Sequence, residues 1–128
     1  MKNARLLIRA LRDAAGLGNC DWAGLISAAR AEQLIGSLAF RIEDQNVPPR
    51  VAAIFEAARR DAAQARTQAL WEAEMARRAL EALGVPVILM KGTAFHAAGL
   101  RASLGRSVGD LDIMVPRGTE VRTTAQGK

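Results

Sequence analysis

Up to residue 83 the apolar positions recur at intervals of three and four, the period of helices that bury one face. Residues 3–15 set Leu7, Leu11 and Ala14 or Ala15 on one side and stop at Gly16-Leu17-Gly18. Asp21 is placed to cap a second helix carrying Trp22, Leu25, Ile26 and Ala29. A third is expected from about Ala31 to Asp44, with Leu34, Leu38 and Ile42 at helical spacing, ending before Pro48-Pro49. From Arg50 to Leu83 an apolar stripe runs through Val51, Phe55, Ala62, Ala69, Ala76 and Leu80, and Gly84 supplies a natural stop. Unbroken, that helix would approach about 50 Å, a length that leaves room for a kink near its middle. Its alanines permit another helix to pack closely.

After Gly84 the pattern changes. Val85-Pro86-Val87-Ile88-Leu89-Met90 is a short apolar run, and it leads through Lys91-Gly92-Thr93 into Ala94-Phe95-His96-Ala97-Ala98, which reads as strand, tight turn and helix. Further on, Leu111, Ile113 and Val115 alternate with Asp110, Asp112 and Met114, the period of a strand with one buried face. Strands are therefore expected at 86–90 and 110–115, and the fold class is α+β, mainly α.

That alternation sends the carboxylates of Asp110 and Asp112 to the same face. Paired carboxylates suit a hard divalent cation, which takes oxygen ligands and relieves their mutual repulsion. The turn at Gly92 suits phosphate: a residue without Cβ allows close approach, the following helix begins with unpaired N–H groups, and Lys91 and the Thr93 hydroxyl add donors. Each motif alone has a plainer reading, a solvated strand face for one and a glycine chosen for its dihedral angles for the other. Lys91 is either a phosphate partner or a solvated turn lysine; Arg106 either offsets phosphate charge or pairs with an aspartate to fix the start of the strand.

Taken in order, apolar strand, Lys91-Gly92-Thr93, helix, Arg106 and Gly109-Asp110-Leu111-Asp112 resemble the nucleotidyltransferase superfamily with the DNA polymerase β-like core. Within it the chain is most similar to the uncharacterised bacterial nucleotidyltransferases, which carry Leu-Lys-Gly on the first strand and Arg-x-x-Gly-Asp-x-Asp at the second. The resemblance spans most of residues 20 to 116 and implies N-terminal helices and one long helix packed on a partial nucleotidyltransferase sheet. It divides the chain into a helical region at 1–84, a partial catalytic core at 85–116 and an irregular tail at 117–128. The implied reaction transfers a nucleoside monophosphate from a nucleoside triphosphate to an acceptor that the sequence does not identify. Asp110 and Asp112 would be catalytic and hold Mg²⁺ or Mn²⁺; Lys91, Gly92, Thr93 and Arg106 would bind the nucleotide.

Members of the superfamily usually add a third carboxylate from a later strand, and here only Glu120 follows, with nothing to mark it as a ligand. The chain is thus expected to be truncated and weakly active or inactive in this form. The alternative is a non-catalytic remnant or helical interaction module. Strands left without neighbours would have open edges through which copies could associate.

With 128 residues, half of them hydrophobic, the chain is one domain's worth of globular sequence, and the low aromatic content of 4% favours close helix packing. The net charge of +5 is spread thinly: residues 1–84 carry 12 Lys or Arg against 10 Asp or Glu, and residues 85–128 carry 6 against 3. Bases and acids alternate, as in Glu74, Arg77, Arg78 and Glu81, so local ion pairs are expected and a nucleic-acid partner is only weakly supported. Cys20 is alone, which excludes an internal disulfide and a cysteine metal site, and it reads as a small residue between helices. His96, the single histidine, reads as a surface or packing residue. With neither a signal core nor a run of membrane-spanning length, the chain reads as cytoplasmic and free of the membrane.

Overall fold

The computed structural model describes residues 2–106, 108 and 111–117. Asp110, with Ser107 and Gly109, and the segment 118–128 with Glu120 lie outside the described residues, so the irregular tail expected at 117–128 is described only at Arg117.

Four helices form the N-terminal part: α1 Lys2–Arg12, α2 Trp22–Ala31, α3 Ile35–Arg41 and α4 Pro49–Glu81. Helix α1 ends three residues earlier than its pattern predicts because Asp13 starts a separate 3₁₀ turn, Ala14–Gly16, its carboxylate accepting the Ala15 N–H at 3.1 Å. Asp21 does cap α2, accepting the Gly24 N–H at 3.1 Å. The third helix is shorter than expected at both ends. Helix α2 runs on to Ala31 and closes in a Schellman arrangement: Gln33 takes a left-handed φ of 57°, its N–H donates to Arg30, and the Leu34 N–H donates to Ala29 at 2.7 Å. Only then does α3 begin, and it ends at Arg41 with the Ile42 N–H donating to Leu38. The apolar stripe itself holds, with Leu38 and Ile42 buried and Leu34 half-buried in the same core as Leu7, Leu25, Val51 and Phe55. Trp22 meets Phe55 edge to face, ring centroids 6.3 Å apart at 72°.

Helix α4 is one continuous helix of 33 residues, about 50 Å long at 1.5 Å per residue, opened by Pro49 and ended by Gly84 with φ 67°. No break falls in its middle. Its first half buries Val51 and Phe55 against the other N-terminal helices, where Arg59 donates to the Ala39 carbonyl at 2.8 Å, one of the carbonyls left unpaired at the end of α3. Its second half buries Ala69, Ala73 and Leu80 and packs against the C-terminal elements. The outward face carries the expected local ion pairs, Glu74 with Arg77 and Arg78, Arg77 with Glu81, and Glu56 with Arg60.

The remaining described elements are β1 Ile88–Leu89, α5 Lys91–Ala97, a 3₁₀ turn Arg101–Ser103 and β2 Ile113–Met114. The strands pair antiparallel, Ile88 opposite Met114 and Leu89 opposite Ile113, both shorter than the alternation predicts. Ile88 and Met114, cross-strand neighbours, are 58% and 50% exposed, so that face of the small sheet is open. The result is α+β and mainly α. No helix among the described residues is long and apolar enough to cross a membrane.

A further contact ties the C-terminal segment to α3. Gly36 in α3 and Gly105, whose φ is 74°, press backbone to backbone, so that a Cβ on either would run into the other's main chain. The segment leading toward Asp112 is thereby held against the N-terminal helices.

Candidate functional site

The turn from β1 to α5 is made by a lysine. Met90 is extended, Lys91 takes a left-handed φ of 54°, and Gly92 is already the second residue of α5. The left-handed angle of the turn thus falls on Lys91 and not on the glycine. Across the strands, the Met90 N–H donates to the Asp112 carbonyl at 3.0 Å, which continues the ladder past Leu89–Ile113 and fixes Lys91 beside Asp112. The side chains meet: Lys91 Nζ lies 3.3 Å from Asp112 Oδ2, with the two side chains 69% and 43% exposed. The carboxylate is therefore beside the bend and reachable from solvent.

Thr93 does not join this pair. Its side chain is 1% exposed, and it lines a cavity of about 250 Å³ together with Ala65, Gln68 and Glu72 of α4 and with Val108 and Leu111. Leu111, not Asp112, is the residue of the Asp-x-Asp segment that lines this cavity with Thr93. Oγ1 has no hydrogen-bond partner among the described residues.

Arg106 is placed by an aromatic ring. Its guanidinium lies 4.8 Å from the centroid of Phe95, a cation–π contact, while its N–H donates to the Ser103 carbonyl at 3.0 Å. An arginine four residues ahead of Asp110 was legible in the sequence; its aromatic seat was not, although Phe95 is one of only three phenylalanines in the chain.

His96 is buried at 2% exposure and serves packing, not the surface. A carbonyl only accepts, so in the 3.1 Å contact Nε2 donates to the Arg106 oxygen, while Nδ1 has no hydrogen-bond partner among the described residues. The His96 carbonyl in turn accepts from Arg66 of α4 at 3.3 Å. Arg66, which nothing in the periodicity marks out, thus links the long helix to this arrangement. Cys20 is half-buried, and burial with the neighbouring Asp21 charge pushes its thiol pKa up, which suits a packing role and not a nucleophile.

Asp112 offers a hard carboxylate oxygen that, among the described residues, is paired with the Lys91 ammonium, a fit for a cation ligand. Among the described residues no group of three or more His, Cys, Asp or Glu stands together as a metal cluster, and Asp110 is outside them.

A family model described as an uncharacterised nucleotidyltransferase matches residues 18–126, taking in α2 through β2 and both halves of the site. No curated protein and no solved structure matches the chain. Over that span, the chain belongs to the uncharacterised nucleotidyltransferase family.

Proposed function

We propose that the chain binds a nucleoside triphosphate with Mg²⁺ or Mn²⁺ at the Lys91–Asp112 corner of a DNA polymerase β-like core and serves transfer of the nucleoside monophosphate to an acceptor hydroxyl. The observation that carries the reading is the meeting of the turn and the Asp-x-Asp segment, Lys91 Nζ to Asp112 Oδ2 at 3.3 Å. A cationic turn and an exposed carboxylate side by side supply opposite halves of a metal–triphosphate site.

In the proposed reaction the acceptor oxygen forms a bond to the α-phosphorus. The bond from that phosphorus to the oxygen bridging to the β-phosphate breaks, pyrophosphate leaves, and the hydroxyl proton passes to solvent. A divalent cation, when bound, lowers the charge on the phosphate oxygens and favours departure of pyrophosphate. Asp110 and Asp112 would hold it. Lys91 and the guanidinium of Arg106 offset phosphate charge, while Gly92 leaves room for a phosphate and offers its N–H with that of Thr93. Thr93 would act through its main chain, its hydroxyl being buried.

Incubating the protein with labelled nucleoside triphosphates, Mg²⁺ and a panel of hydroxyl acceptors tests the reading, with Asp110→Ala as control. Nucleotide transfer or Mg²⁺-dependent nucleotide binding, abolished in Asp110→Ala, supports it; absence of nucleotide binding favours the helical interaction module instead.

A further inference from the structure

We propose that Lys91 is a built-in placeholder for the divalent cation: its ammonium holds the Asp112 carboxylate in the ligand-free protein and moves onto the nucleotide's phosphates when metal and nucleotide arrive together. The inference rests on the reading above and adds how the site is kept before loading.

Three features of the chain meet at this pair. The first is position: the Met90 N–H to Asp112 carbonyl bond at 3.0 Å sets the two backbones side by side, so the ammonium is within reach of the carboxylate. The second is conformation. Among the described residues two non-glycines have a left-handed φ, Gln33 and Lys91. For Gln33 the reason is the Schellman ending of α2, whereas Lys91 begins a helix, where no such ending operates. Glycine or asparagine adopts this angle far more easily than lysine, so the conformation is tolerated for what the side chain does.

The third is the weakness of the pair. Both side chains are substantially exposed, at 69% and 43%, and a single ammonium in contact with water holds a carboxylate only loosely. A divalent cation brings twice the charge and takes the oxygen as a direct ligand, so it outcompetes the lysine. Lysine is suited to being displaced, since its charge is a compact point on a flexible four-carbon stem. Once released, it carries its charge to the phosphates proposed to lie beside Gly92. Metal alone must expel Lys91 into water; metal with nucleotide gives it a new contact. Each ligand therefore tightens the other, and by linkage the coupling is the same in both directions.

The test measures Mn²⁺ binding to the intact chain by electron paramagnetic resonance, alone and with a non-hydrolysable ATP analogue. Lys91→Met removes the charge, Lys91→Gly does so while relieving the left-handed angle, and Lys91→Arg keeps a cation. Both neutral variants are expected to bind Mn²⁺ alone about two- to fivefold more tightly than wild type, the range an exposed ion pair supports. Lys91→Arg should not gain, and the analogue's enhancement of Mn²⁺ affinity should shrink toward one in Lys91→Met. Mn²⁺ affinity lost in Asp112→Asn but unchanged or weakened in both neutral variants overturns the placeholder and leaves the proposed function standing. Mn²⁺ affinity unaffected by Asp112→Asn overturns both.

Discussion

His96 Nε2 donates to the Arg106 carbonyl oxygen at 3.1 Å, joining α5 to the segment ahead of Asp112 across ten residues of chain. Arg106 closes the same link from its other end by stacking on Phe95, the neighbour of His96. Replacing His96 with Leu removes the donor and leaves a carbonyl short of a partner inside the protein. The expected loss is about 1–3 kcal/mol of unfolding free energy. Urea denaturation measures it, and a change below about 0.5 kcal/mol would mean that this hydrogen bond is replaced by water at no cost.

Gly36 and Gly105 should tolerate nothing larger. At either one, a Cβ would strike the other's main chain, and Gly105 adds a left-handed φ of 74°. Gly84 is the comparison, since its φ is 67° but nothing lies within 4 Å of its Cβ position. Gly84→Ala is expected to cost about 1–2 kcal/mol from the backbone angle alone. Gly105→Ala should cost that plus an overpacking penalty of about 1–3 kcal/mol. Equal denaturation midpoints for the two variants would refute the close contact.

Glu74 gives a pH dependence of known sign. Hydrogen bonds from Arg77 and then Arg78 lower its carboxyl from 4.5 to about 2. Because the folded value is depressed, the stabilisation is fully present above pH 4.5 and is lost as pH falls through about 2. Wild type should therefore exceed Glu74→Gln in stability at pH 6, and the difference should close toward pH 2. The group faces solvent, so added salt should shrink the difference as well. A gap that is independent of both pH and salt would assign the effect to packing.

Local chemistry was legible in the sequence, and long-range chemistry was not. The stripe of α4, the Asp21 cap and the Gly84 stop follow from period and capping, which act within a few residues. Asp13 and Gln33 changed helix ends because each competes with helix continuation through a hydrogen bond or backbone angle that periodicity does not register. At the site, the spacing pointed to both Lys91 and Asp112, and their proximity depends on the pairing of β1 with β2. The burial of the Thr93 hydroxyl toward α4 and the seat of Arg106 on Phe95 depend on how α5 packs, which no single segment encodes.

Asp112, beside Lys91, is proposed to take part in gripping a metal-bound triphosphate. Equilibrium dialysis of a labelled nucleoside triphosphate against wild type and Asp112→Asn, each with Mg²⁺ and with chelator, addresses it most directly. Binding by wild type is expected to require Mg²⁺ and to be lost in Asp112→Asn while the helical signal by circular dichroism is retained. Equal binding by the two proteins, or binding indifferent to chelator, would contradict it.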